Sequence, residues 1–164
     1  MITARGLFAL LFLSGVAFAG CKGTPSLNVS YEGVGMVISG KHLFLLVCKS
    51  GEIEYDNGEH QTESRRKKGR LTVEQQLELM SLLNEAGTRA LTGKYFGVVG
   101  VRDHAEWVDV TIFRPGGKQK FTAADFYGDT EKTYPAPLVT FLCRIDKLRT
   151  STGLRMSDSF CLAK

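Results

Sequence analysis

Asp103, His104, Glu106 and Asp109 are the densest gathering of imidazole and carboxylate groups in the chain. Side chains of these types bind divalent metals or exchange protons with a substrate. Their spacing weighs against a site. Asp109 falls in an alternating segment that begins at Trp107 and has strand character, whereas Asp103 and His104 precede it in a loop. Asp125, Asp129 and Glu131 could offer oxygens to calcium, but they lack the ordered spacing of a calcium loop, and a polar turn is expected there. His42, at a strand end, and His60, in a polar loop, have no partner identifiable from spacing. HExxH, GxSxG and GxxxxGK[ST] signatures are all absent. No metal or cofactor is expected, no catalytic residue is identified, and a metal-dependent envelope hydrolase is the weakest of the functional readings.

The sharpest charge feature is Arg65-Arg66-Lys67-Lys68-Gly69-Arg70. Arg65, Arg66, Lys67, Lys68 and Arg70 could meet lipid phosphates, anionic glycans or an acidic protein face. Near an anionic membrane each such charge contributes ~1 kcal/mol. The competing reading is a solubilising loop just ahead of a helix. Tyr95, Phe96 and Trp107 could line a recognition surface, although aromatic residues near strands more often pack in a core.

Four cysteines, Cys21, Cys48, Cys143 and Cys161, carry the remaining chemistry, and what they do depends on where the chain goes. Arg5, the apolar run Leu7 to Phe18 and the small residues around Ala19 have the charge, hydrophobicity and cleavage pattern of a secretory signal over residues 1–20. The run is too short to span a hydrocarbon layer of ~30 Å as a stable anchor. Ala17-Phe18-Ala19 satisfies the ordinary A-x-A cleavage rule, while Phe18-Ala19-Gly20-Cys21 resembles the lipobox of bacterial lipoproteins, with Phe18 where an aliphatic residue is usual. The resemblance implies a Cys21 bearing diacylglycerol on its thiol, hence a membrane partner through the lipid anchor. Lys22 in the next position implies the outer membrane, facing the periplasm; the alternative is a secreted protein. Residues 21–32 then serve as lipidated N-terminus and tether, with Lys22-Gly23-Thr24-Pro25-Ser26 polar and turn-prone.

With Cys21 lipidated, three cysteines remain, and an oxidising compartment permits one disulfide among them. Cys143 with Cys161 is favoured, because it would dock a Gly- and Ser-containing tail over residues 150–164; the loop closure contributes ~3 kcal/mol in the chain-entropy model. Cys48, at the end of an apolar segment, is expected to be a buried small hydrophobe. Without lipid, Cys21 is left to pair with Cys48.

Removal of residues 1–20 leaves a mature chain of about 144 residues, the size of one domain. The net charge of +4 loses only Arg5, so the balance is too mild to imply nucleic acid as a partner.

The elements that must position these groups show the same pattern twice. His42 to Cys48 and Glu52 to Asp56 form a first hairpin across Lys49-Ser50-Gly51, and Gly33 to Ser39 is a possible earlier strand. Thr72 and Gln75 make a capping box, and the helix behind it is expected to bury Val73, Leu77, Met80 and Leu83, ending near Gly87. Trp107 to Phe113 alternates as a half-buried strand, turns at Arg114-Pro115-Gly116-Gly117 and returns along Lys118 to Phe126. A second helix then places Leu138, Phe141, Leu142, Ile145 and Leu148 on one face, leaving Cys143 to meet the tail. The expected fold class is α+β: an antiparallel sheet of two hairpins (ββα-ββα) with both helices on one face, spanning residues 33–149. Asn57 to Arg70 and Tyr95 to Glu106 are expected as long connections.

Leu71, Thr72, Glu74 and Gln75 at the helix start, Val110-Thr111-Ile112, Asp125 to Gly128, and the closing Ile145, Asp146 and Leu148 together resemble uncharacterised bacterial lipoprotein domains of unknown function. These motifs are architectural and imply no activity. The expected function is an envelope-anchored lipoprotein acting as a binding or structural module, its partner an envelope protein or anionic surface. A secreted enzyme inhibitor is the alternative.

Overall fold

A computed structural model describes residues 21, 23–34, 40–56, 66–96, 105–124, 134–151 and 161. Its chain order is β1 (Pro25–Val34), β2 (Gly40–Cys48), β3 (Glu52–Asp56), β4 (Arg66–Arg70), α1 (Val73–Asn84), α2 (Ala86–Ala90), β5 (Gly93–Phe96), β6 (Ala105–Arg114), β7 (Gly117–Ala124) and α3 (Ala136–Ser151). Among the described residues the strands form one seven-stranded sheet in the order β4-β3-β2-β1-β6-β7-β5. Every neighbouring pair is antiparallel except β5 and β7, so the sheet is mixed.

The α+β class stands, with both expected hairpins present. β2 turns into β3 at Gly51, whose φ of 81° lies where a side chain would be strained. β6 turns into β7 through Gly116 and Gly117. Three strands lie outside the two-hairpin plan. Pro25–Val34, within the expected tether, is the middle strand of the sheet, pairing with β2 on one side and β6 on the other. Its sequence alternates apolar Leu27 and Val29, both fully buried, with Ser26, Asn28 and Ser30, and that alternation outweighs the turn-prone residues before it. Arg66–Arg70, expected as the end of a loop, is β4, and Gly93–Phe96 is β5. Of the possible strand Gly33 to Ser39, Gly33 and Val34 finish β1, while residues 35–39 lie outside the described residues.

The core lies on one sheet face. Leu27, Val29, Leu45, Val47, Ile53, Tyr55, Val108, Val110, Ile112, Phe121 and Ala123 meet Leu79, Leu82 and Leu83 of α1 and Leu138, Phe141, Leu142, Ile145 and Leu148 of α3. The Phe121 and Phe141 rings meet edge to face with centroids 5.4 Å apart, which ties β7 to α3. The α3 face is the expected one.

The α1 face is rotated from expectation at Val73, Leu77 and Met80, whereas Leu83 is buried as expected. Thr72 and Gln75 do close the capping box, Gln75 N–H donating to Thr72 Oγ1 and Thr72 N–H to Gln75 Oε1. Yet Val73, Leu77 and Met80 are 72, 66 and 53 % exposed, while Leu79, Leu82 and Leu83 are buried. Both sets fit a 3.6-residue period, and the three-leucine face offers more branched bulk for a sheet to cover. None of the helices in the described residues is long and apolar enough to cross a membrane.

Candidate functional site

Strand β4 brings the basic run onto the edge of the sheet. It pairs antiparallel with β3, setting Glu52 opposite Arg70, Glu54 opposite Lys68 and Asp56 opposite Arg66. Strand alternation sends the Glu52–Arg70 and Glu54–Lys68 couples to the face away from the helices, and places Lys67 and Gly69 opposite Tyr55 and Ile53 on the other. Gly69 suits its place, since a Cβ there would stand 3.3 Å from Ile53 Cγ1.

All five residues of β4 are exposed. Arg70 reaches Glu52 Oε1 at 3.4 Å and donates to the Ser50 carbonyl at 3.2 Å; Arg66 reaches Glu54 Oε1 at 3.5 Å. An exposed pair such as Arg70 with Glu52 contributes ~0.2–1 kcal/mol. Glu54 itself is 3 % exposed, and its Oε2 has no hydrogen-bond partner among the described residues. Lys67 and Lys68 form no ion pair with any described residue, so they are the cations this edge leaves open. Arg65 lies outside the described residues.

Beneath the strand, Tyr55 is 2 % exposed, and burial raises its phenol above the ordinary value of 10.0. The hairpin also leans on α1: a Cβ at Gly51 would strike the Gln76 side chain at 2.6 Å, and Gln76 Nε2 donates to the Leu71 carbonyl at 3.1 Å.

All four cysteines are paired. Cys143 on α3 is joined to Cys161 of the tail, Cα atoms 5.4 Å apart, and Cys21 is joined to Cys48, Cα atoms 5.7 Å apart. Cys48 is therefore half of a cross-link and not a free small hydrophobe. The Cys21 sulfur is consumed in the same bond. A thioether to diacylglycerol needs that same sulfur, so the disulfide and the lipid anchor are alternative fates of Cys21, and in the disulfide form the segment is stapled to the end of β2.

Of the imidazole and carboxylate cluster only the Asp109 side chain is among the described residues. Asp103 and His104 lie outside the described residues, as does the side chain of Glu106, and the carboxylate of Asp109 accepts a 2.7 Å hydrogen bond from Thr122 Oγ1 across the β6–β7 pair. Asp125, Asp129, Glu131 and His60 also lie outside. Among the described residues no three of His, Cys, Asp and Glu gather as a metal would require.

Three features escaped sequence reasoning. Asp146 and Arg149 are buried on the apolar face of α3 and joined at 2.8 Å; continuing the Leu138, Leu142, Ile145 period to position 149 would have found the second. Arg114 donates to the Leu83 carbonyl and to Gln119 Oε1, while Gln119 Nε2 donates to the carbonyls of Thr88 and Leu91, so the β6–β7 hairpin satisfies the open ends of α1 and α2. A cleft of about 270 Å³ lies between Glu85, Gly87 and Thr88 on one side and Ala136, Pro137 and Thr140 on the other. It is below the size of ordinary ligand sites.

No family model matches the chain and no curated protein is similar to it, so the resemblance to lipoprotein domains gains no support from either comparison.

Proposed function

We propose that this chain is exported and acts outside the cytoplasm as a binding module, with strand β4 as the surface that meets an anionic partner. The observation that carries the proposal is the pairing of every cysteine in the chain, Cys21 with Cys48 and Cys143 with Cys161. Reducing compartments keep thiols free, whereas exported domains keep such bonds. The signal-like segment ahead of Cys21 agrees with that destination, and cleavage after Ala19 would release a soluble protein. For the binding surface the support is the exposed edge, on which Lys67 and Lys68 form no ion pair among the described residues.

A second reading keeps the lipid anchor, on the strength of Ala19-Gly20-Cys21. There the Cys21 sulfur goes to diacylglycerol, and Cys48, 3 % exposed, is left as an unpaired buried thiol. Mass measurement after alkylating the denatured, unreduced protein separates the two. The disulfide form takes up no label; the lipid-bearing form carries acyl mass and one label, on Cys48. Recovery of the protein from its own cells with all four thiols free would overturn export.

A further inference from the structure

We propose that β4 is an acceptor edge for an extended acidic polypeptide, which adds to the sheet as a further strand. The proposal rests on β4 being the binding surface and specifies the partner.

Three observations lead to it. β4 ends the described sheet, so the backbone N–H and C=O groups it directs away from β3 have no strand partner there. All five of its residues are exposed, which leaves those groups open to approach from the side. The charges then fix the sign of the visitor. Arg66, Lys68 and Arg70 share one face and Lys67 occupies the other, with Glu52 and Glu54 already supporting Arg70 and Arg66 from the inner side. Basic residues on an edge commonly guard a sheet against pairing with its own kind. A second copy of β4 would set cation against cation. An acidic strand instead puts carboxylates opposite Lys68 and Arg70, which already face Glu54 and Glu52 of β3, so that these cations stand between two rows of opposite charge.

Lipid headgroups or sulfated glycans would use the cations but leave the backbone groups unanswered. An extended polypeptide uses both, its main chain supplying affinity and its acidic side chains selectivity.

The test uses the disulfide-bonded chain and a peptide of alternating Glu and Val about nine residues long, within ordinary strand length. Binding should slow amide exchange within residues 66–70 and should weaken as salt shortens the screening length from ~30 Å to ~8 Å. The same peptide with alternate backbone nitrogens methylated keeps its charge but cannot complete the ladder, and its affinity should fall about tenfold or more. Lys67→Gln with Lys68→Gln should weaken the parent peptide without moving the unfolding midpoint.

Equal binding of the methylated and parent peptides, unchanged exchange at residues 66–70 on saturation, or no binding of the parent would overturn strand addition. Phosphatidylglycerol vesicles and heparin serve as separate arms. If either binds through Lys67 and Lys68 while the peptide does not, strand addition fails and the anionic surface stands. If none of the three responds to the double substitution, both fail.

Discussion

The guanidinium carbon of Arg149 lies 3.8 Å from the centroid of the Phe44 ring, while one of its nitrogens donates at 2.8 Å to Asp146 Oδ1 on the preceding turn of α3. Arg149 is fully buried and Asp146 is 3 % exposed, so α3 carries a charged pair into the core and lays it against β2. Phe44 sits where the β1–β2 register shifts, between Val29 opposite Leu45 and Ser30 opposite Leu43. The pair thus fixes the helix against an irregular point in the sheet. Its electrostatic attraction is offset by desolvation, and its specificity comes from geometry.

Breaking that pair from one side takes its ion-pair partner from a buried charge. Asp146→Ala and Arg149→Ala should each lose about 3–5 kcal/mol of unfolding free energy, read from denaturant midpoints at constant slope. The double change Asp146→Leu with Arg149→Met should lose clearly less than the sum of the singles. Additive losses would mean that the two side chains act independently.

The two faces of α1 give a sharper contrast. Leu82→Ala should lose about 2–5 kcal/mol, whereas Leu77→Ala, on the exposed side, should stay within about 0.5 kcal/mol. A large loss at Leu77 would restore the face that helical periodicity first indicates.

Gln119 offers a test of helix-end satisfaction. Replacing it by Leu removes donors from the Thr88 and Leu91 carbonyls and the acceptor from Arg114, and should cost about 1–3 kcal/mol. Gln119→Glu, which keeps the acceptor but loses the donors, should fall between wild type and Leu. Thermal unfolding of the three proteins gives the order.

Reduction should destabilise in two steps of similar size. The cross-linked residues are separated by 18 and 27 positions, for which chain entropy predicts roughly 3 and 3.5 kcal/mol. Cys143→Ala with Cys161→Ala and Cys21→Ala with Cys48→Ala, compared by urea denaturation, measure each contribution; a pair with no loss would show that its bond restrains nothing in the unfolded chain.

Tyr55 sets an alkaline limit. Burial raises its pKa in the folded chain above the unfolded value of ~10, so the neutral phenol favours folding. That contribution is complete below pH ~10 and is lost as pH rises through the folded pKa. Unfolding curves taken at alkaline pH should show a slope that Tyr55→Phe reduces; equal slopes would assign the loss to other groups.

Much of the fold is legible from local pattern, where the pattern has a single solution. β3 runs over Glu52–Asp56 as the alternation indicates, the Thr72 and Gln75 capping box starts α1, and α3 buries its apolar face. What escaped was decided by partners distant in sequence. The Leu27 and Val29 alternation is short, and only β2 and β6 on either side make it the middle strand. On α1, Val73-Leu77-Met80 and Leu79-Leu82-Leu83 satisfy the same period, and the sheet chooses between them. The basic run was visible as charge, but its role as an edge depends on the acids of β3 facing it, a relation fixed by antiparallel register.

The position of β1 also sets a timetable. Leu27 lies opposite Val47 on one side and Ile112 on the other, so the first strand of the chain finds one neighbour early and the other only when most of the protein has followed. Contacts so far apart in sequence slow folding, because a long loop must close before they form. A chain threaded through a membrane from its N-terminus would carry β1 across well before β6 and α3 arrive to complete the core. Its late closure would keep it pliable during transit, and the compact state would form on the far side, where the Cys143 and Cys161 thiols can meet an oxidant.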